Sequence, residues 1–253
     1  MELKNKLIAI TGAAQGLGFA MAKSFAEAGA NLALIDMQEE AIEQAAEAIK
    51  KLGVTAKGYA VNVTDESAVE STFNQITADF GQLNGLINSA GIMRDGMLLK
   101  VKEGKVVDKM SKQQFQSVLD VNVTGTFLCA REAAAKMIET GSEGVIINLS
   151  SVSRGGNMGQ TNYSASKSAV ATMTVTWAKE LARFKIRTGC IAPGLVNTAM
   201  AAQMRPEMRE KFLQSVPAGR LAEVDELGHA ARFIFENDYF TGRTLELDGG
   251  TRV

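Results

Sequence analysis

The chain has 253 residues, with 27 basic against 28 acidic side chains and a formal net charge of −1. That length can bury a substantial core in one large α/β domain or two small ones, and the balanced charge does not suggest nucleic acid or an anionic membrane surface as the main partner. Cys129 and Cys190 lie far apart in apolar runs without a C-x-x-C spacing, so buried free thiols are expected in place of a bridge or a redox pair.

From the N-terminus, M-E-L-K-N-K leads directly into L-I-A-I. That apolar run is too short for a secretion signal or a membrane span, so a soluble, cytoplasmic protein is expected. Short apolar runs bounded by Gly, Asn or Asp recur at residues 7–10, 31–35, 57–61, 85–87, 145–149, 187–191 and 244–247, and read as strands. Between them, segments 17–28, 39–52, 66–80, 113–137 and 164–184 carry 3.6-residue periodicity, and read as helices. Strand and helix in alternation predict a parallel sheet with helices on both faces, because parallel neighbours need a helical crossover. With no linker to divide it, the chain reads as one domain over 1–253.

Directly after the first strand, T-G-A-A-Q-G-L-G places Gly12, Gly16 and Gly18 at the opening of a helix. Backbone can there approach a pyrophosphate, and the helix start offers N–H groups and partial positive charge. The spacing is T-G-x-x-x-G-x-G and not G-x-G-x-x-G, so its strand-before, helix-after setting carries the reading. Asp36 closes the second strand about 20 residues on, where a carboxylate would bond ribose hydroxyls and repel a 2'-phosphate.

Two segments interrupt the alternation. Residues 97–109 alternate Val and Lys about Glu103-Gly104, which predicts an exposed hairpin. Residues 195–215 hold Met200, Met204 and Met208 four apart, with Pro206 placed to start a short helix. That stripe reads either as core packing or as a lid over a substrate.

In N-Y-S-A-S-K, Tyr163 precedes Lys167 by four residues, which puts a phenol and an ammonium on one helix face. An adjacent cation favours the phenolate and is expected to pull the phenol down from its ordinary value near 10, making Tyr163 a candidate general acid/base. The sole histidine, His229, sits in D-E-L-G-H-A-A-R-F. It has no visible partner for a hydrolytic triad or a metal site, and reads as a structural helix residue.

With these motifs in place, the chain resembles the short-chain dehydrogenase/reductase family along essentially its whole length. The matches are Thr11, Gly12, Gly16 and Gly18; Asn88-Ser89-Ala90-Gly91; Asn122; Tyr163 with Lys167; and Pro193, Gly194 and Thr198. The resemblance implies a single-domain Rossmann fold with a seven-stranded parallel sheet. It also implies a dinucleotide held by Gly12, Gln15, Gly16, Leu17, Gly18, Asp36, Asn62, Val63, Asn88, Ala90, Gly91, Tyr163, Lys167, Pro193, Gly194, Val196 and Thr198. Tyr163 would exchange a proton with the substrate oxygen, Lys167 would bond the nicotinamide ribose and lower the tyrosine pKa, and Asn122 would hold a water linking Lys167 to solvent. No metal is implied.

Members that prefer NADP carry a basic residue in the glycine loop or just after the second strand. Gln15, Asp36 and Met37 stand there, so NAD(H) is expected over NADP(H). Asn62-Val63 replaces the family's usual Asp-Val, and keeps a carbonyl acceptor for the adenine amine. For the serine that fixes the substrate oxygen, two alignments compete. Counting thirteen residues back from Tyr163 gives Ser150, whereas following the strand V-I-I-N-L-S-S gives Ser151. Ser151 is favoured, because strand register is harder to change than loop length.

The stretch from Gly144 through Lys167 and the ending R-T-L-E-L-D-G-G resemble bacterial 3-oxoacyl-acyl-carrier-protein reductases, and other stretches resemble type II 3-hydroxyacyl-CoA dehydrogenases equally. Reduction of a 3-oxoacyl thioester, with acyl carrier protein as a candidate partner, is the favoured reading. The coenzyme expectation favours the CoA enzymes, and a sugar or steroid alcohol dehydrogenase stays open beside them. A nucleotide-binding scaffold without catalysis is disfavoured by the complete Asn, Ser, Tyr and Lys set. An acidic carrier protein needs a basic rim, for which Lys136, Arg183 and Lys185 are candidates, with Lys100, Lys102 and Lys105 of the hairpin. Helices over 113–137 and 164–184 are richer in Ala, Thr and Val than one sheet face requires, and the resemblance, in which such helices pair between subunits, implies a homotetramer with two-fold axes.

Overall fold

In the computed structural model, which describes residues 1–198, 210 and 213–251, seven strands form one parallel sheet. They are β1 (Leu7–Thr11), β2 (Asn31–Asp36), β3 (Ala56–Ala60), β4 (Gly85–Asn88), β7 (Gly144–Leu149), β8 (Ile186–Pro193) and β9 (Arg243–Leu247). The order across the sheet is β3-β2-β1-β4-β7-β8-β9. The chain therefore winds outward from β1 in one direction, returns, and winds outward in the other. The reversal opens a crevice between β1 and β4 at the carboxyl ends of the strands, where α/β sheets bind ligands.

Helices α1 (Gly16–Glu27) and α2 (Glu39–Lys50) cover one face together with α7 (Val224–Glu236). Their Met21, Phe25, Ile42, Ile49, Ile234 and Phe235 pack on Ile8, Ile10, Leu32, Leu34, Ile87 and Ile147. The alternate residues Leu7, Ala9, Ala33, Ile35, Leu86 and Ile146 point the other way, as the two-residue strand period requires. There α3 (Glu66–Phe80) and α5 (Thr126–Glu139) supply Val69, Phe73, Ile76, Leu128, Ala133 and Met137. Because both faces are covered, the central strands are apolar throughout. Gly85 lets α7 descend: a Cβ there would lie 2.5 Å from the Phe235 ring, which meets Phe25 edge to face at 4.9 Å.

Every expected strand is present, with ends moved by a residue or two. The helix expected over 113–137 is in fact three pieces: α4 (Lys112–Leu119), a π-helical turn (Asp120–Gly125) and α5. Periodicity does not register the turn, since Val118, Gly125 and Leu128 remain buried across it. Helix α6 (Thr161–Glu180) begins a turn earlier than expected and gives way to a 3₁₀ turn, Ala182–Phe184. Helix α7 starts at a capping box between Glu223 and Glu226, and His229 on it is exposed to solvent. Both cysteines are buried and free.

Residues Leu99–Lys102 (β5) and Lys105–Lys109 (β6) form a separate antiparallel hairpin. Its turn residues Glu103 and Gly104 both have positive φ, 51° and 72°, the geometry that matches strand twist. In the segment expected as a lid, Val196 bridges to Ala222, while Met200, Met204, Pro206 and Met208 lie outside the described residues. Among those residues, no helix is long and apolar enough to cross a membrane.

Candidate active site

The motif residues collect at the carboxyl edge of the sheet because each follows or ends a strand: Thr11 on β1, Asp36 on β2, Asn88 on β4, Ser150 and Ser151 after β7, Pro193 on β8. Thr11 ties two loops together. Its hydroxyl oxygen accepts the N–H groups of Ser89 and Ala90, each at 3.1 Å. Gly12 has φ +64°, and a Cβ on it would come within 2.9 Å of the Ala90 backbone. A Cβ on Gly18 would sit 2.2 Å from the Gly12 carbonyl oxygen. The loop over Gln15, Gly16 and Leu17 is thus a backbone cradle at the start of α1, closed to side chains at two points. These features fit a dinucleotide pyrophosphate.

Around the cradle, the Asp36 carboxylate accepts Ala14 N–H at 3.3 Å and Gln38 N–H at 3.2 Å, so it flanks the loop where an adenosine ribose would lie. Asn62 makes a local turn. Its Oδ1 accepts both the N–H and the hydroxyl of Thr64, at 3.1 and 2.9 Å, beside buried Val63. Deeper in the crevice, Asn88 Nδ2 donates to Asn148 Oδ1 at 2.9 Å while its own Oδ1 is buried without a partner. An orphaned acceptor of this kind suits a site completed by a bound group. Ala90 and Gly91 follow; a Cβ on Gly91 would meet Asn122 Oδ1 at 3.2 Å and Lys167 Nζ at 3.6 Å. Opposite, Gly194 presses on Asp248, whose Cα a Cβ would approach to 2.9 Å, with Val196 buried and Thr198 half-buried beyond it.

Tyr163 and Lys167 lie one turn apart in α6. Lys167 Nζ stands 5.5 Å from the tyrosine ring centroid and donates to the Leu149 carbonyl at 2.7 Å. The two serines have different surroundings. Ser150 is buried and donates its hydroxyl to the Lys167 carbonyl at 2.7 Å, whereas the Ser151 hydroxyl accepts Ser153 N–H at 3.1 Å and shares a hydrogen bond with the Tyr163 phenol. Asn122 sits in the π-helical turn and clamps the loop after Gly91. Its Oδ1 accepts Ile92 N–H at 2.8 Å, and its Nδ2 donates to Ile92 O at 3.1 Å and Ser166 Oγ at 3.0 Å.

Burial governs the ionisation here. It pushes Lys167 down from 10.5 to about 8, with a small opposing contribution from Cys190. It also holds the Tyr163 phenol above its ordinary value, offset by the Ser151 hydrogen bond and reinforced by the Asp95 carboxylate. The expected depression of the tyrosine by Lys167 is therefore corrected: desolvation of a phenolate dominates, and the ammonium lies over the ring with an N–H directed to Leu149.

Several contributors escaped sequence reasoning. Asn148 Nδ2 donates to Thr174 Oγ1 at 2.9 Å, linking Asn88 to the interior of α6. Asp95 accepts Gln160 Nε2 at 2.9 Å, and Asn162 Nδ2 donates to Arg94 O at 2.9 Å. These pairs bring distant segments together and leave no local sequence signal. The basic rim expected on helices is also corrected. Lys136 pairs with Glu139 at 2.6 Å and Lys185 with Glu143 at 2.8 Å, and Arg183 lies over Phe184 at 4.6 Å. Lys136 is in the last turn of α5 and Lys185 immediately precedes β8, so both belong to the amino end of the sheet, opposite Tyr163. Among the described residues, no group of three or more His, Cys, Asp or Glu side chains could hold a metal.

A family model described as enoyl-(acyl carrier protein) reductase matches residues 12–252. The chain is 35% identical over 253 residues to a 3-oxoacyl-[acyl-carrier-protein] reductase of Thermotoga maritima, covering 99% of both chains. It is 34% identical over 252 residues to the enzyme of that name in Chlamydia muridarum, covering 98% of both. It is also 35% identical over 257 residues to a 3alpha-hydroxysteroid dehydrogenase of Mediterraneibacter gnavus, covering 100% of this chain and 99% of the other.

Proposed function

Since the chain belongs to the short-chain dehydrogenase/reductase family, whose members are oxidoreductases acting on CH–OH groups with NAD(P) as acceptor, we propose that it reduces 3-oxoacyl thioesters to 3-hydroxyacyl thioesters, on acyl carrier protein and with NADH preferred. The observation that carries the reading is the Ser151, Tyr163 and Lys167 group beside the glycine cradle. A nicotinamide dinucleotide, which the glycine cradle and Asp36 would hold, would supply the hydride for the carbonyl carbon. The chain's own part is to fix and protonate the oxygen: Ser151 donates to it, and Tyr163 gives it the phenolic proton. Burial raises the phenol from its ordinary value and so favours its protonated form, the state that reduction needs. Lys167 holds positive charge 5.5 Å from the ring centroid, Asn122 holds the Ile92 backbone beside Gly91, and in alcohol oxidation Tyr163 takes the proton back.

Asp36 beside the cradle, with Gln15 and Met37 in place of any cation, supports NADH over NADPH. The names of the relatives from Thermotoga maritima and Chlamydia muridarum support the acyl-carrier substrate, and the 3alpha-hydroxysteroid dehydrogenase keeps a steroid alcohol as the second reading. Exposed Phe127 and Ile138 on α5 and Val175 on α6 support a homotetramer, which a monomer mass in light scattering would contradict. The deciding assay follows NADH absorbance with acetoacetyl-carrier protein, acetoacetyl-CoA and a 3-oxosteroid. Turnover of the thioesters that falls about 10²–10⁴-fold in Tyr163→Phe is expected; turnover of the steroid alone overturns the substrate assignment.

A further inference from the structure

The hairpin of β5 and β6 stands where the helix-borne basic rim does not. Its stem is fastened to the loop that leads into Tyr163: Gly96 N–H donates to Gly159 O at 2.8 Å, Gly96 bridges to Gln160, and Gln114 Nε2 donates to the carbonyls of Arg94 and Asp95 at 3.0 and 3.2 Å. Asp95 is near enough to Tyr163 to act on its phenol. Leu99, the first hairpin residue, follows four positions later, at most about 14 Å of chain.

Cross-strand pairs share a face, and the register sorts the hairpin. Leu99, Val101 and Val106 share one side, while Lys100, Lys102 and Lys105 share the other. All six are exposed. Lys100 is paired with Asp108 at 3.1 Å. Lys102 and Lys105 stand directly opposite each other, and among the described residues neither has a carboxylate partner. Like charges facing across a strand pair destabilise it, and an isolated two-stranded hairpin is marginal in water to begin with. Residues 97–112 carry five lysines against one Glu and one Asp, in a chain whose net charge is −1. A local excess of cations fixed beside the catalytic tyrosine fits an anionic protein surface.

We propose that the 99–109 hairpin is the docking arm for the acidic carrier protein that bears the acyl thioester, with Lys102 and Lys105 as its principal contacts; this rests on the thioester reading above. The test uses the full-length protein and a Lys102→Glu, Lys105→Glu double variant. Binding of fluorescently labelled acetoacetyl-carrier protein is read by anisotropy, and turnover is read with that substrate, with acetoacetyl-CoA and with the acetoacetyl N-acetylcysteamine thioester. The expected result is a Kd for carrier protein weakened about tenfold or more, a shallower salt dependence, and an equal fall in kcat/KM carried by KM. The N-acetylcysteamine substrate should be turned over as before. Unchanged carrier-protein affinity overturns the proposal, as does a loss confined to acetoacetyl-CoA, which would assign the lysines to nucleotide phosphates. A lower oligomer mass with unchanged carrier-protein affinity also overturns it, in favour of a second copy of the chain as occupant. Failure of the wild type to turn over any thioester overturns the underlying function instead.

Discussion

Exchanging Ser150 and Ser151 for alanine, one at a time, separates two adjacent hydroxyls that the fold uses differently. Ser151 shares a hydrogen bond with the Tyr163 phenol, so its loss removes a donor from the place where a substrate oxygen gains charge. One such donor is worth about 10²–10³ in kcat, or about 2.7–4 kcal/mol. Ser150 is 2% exposed and donates to the Lys167 carbonyl at 2.7 Å. Its loss costs a buried hydrogen bond, about 1 kcal/mol of stability, which for a chain of this size lowers Tm by about 2–4 °C. The assay is NADH consumption with acetoacetyl-CoA at saturating coenzyme, alongside thermal unfolding of each variant. Ser151→Ala should lose most of its kcat with Tm nearly unchanged, and Ser150→Ala should keep kcat within about fivefold while melting earlier. If Ser150→Ala abolishes turnover and Ser151→Ala does not, the geometric argument fails.

Lys167→Met should abolish activity and raise Tm at pH 7, because the native chain carries a buried ammonium held at about 8. The folded state releases that proton before the unfolded state does, so wild-type stability rises from about pH 8 toward 10.5 and the variant's advantage narrows. An advantage that widens with pH over this interval contradicts the assignment. Gly18→Ala places a Cβ 2.2 Å from the Gly12 carbonyl oxygen; overpacking should cost about 1–3 kcal/mol and weaken NADH binding at least tenfold, as read by coenzyme fluorescence titration. Asp36→Ala frees Ala14 and Gln38 N–H and should lower the ratio of kcat/KM for NADH over NADPH by about tenfold; an unchanged ratio removes Asp36 from coenzyme selection.

The alternation of strand and helix was legible in the sequence because it rests on local periods, two residues for a buried strand and 3.6 for a helix. The glycines of the cradle and the Tyr163–Lys167 spacing were legible for the same reason: each constraint acts within one turn or one loop. Tertiary structure decided what depends on distant segments. It shifted the ionisation of Tyr163 through burial, the Ser151 hydrogen bond and the Asp95 carboxylate, with no resolved contribution from the lysine one turn away. It gave Ser150 and Ser151 different partners, because the carbonyl and the phenol they reach belong to α6 and not to β7. It also placed Lys136 and Lys185 at the amino end of the sheet, where the crossovers carry them, and fastened the stem of the hairpin at the carboxyl end. Sequence spacing encodes neighbours along the chain, whereas charge, burial and the end of a sheet at which a residue emerges are fixed only when the strands take their order.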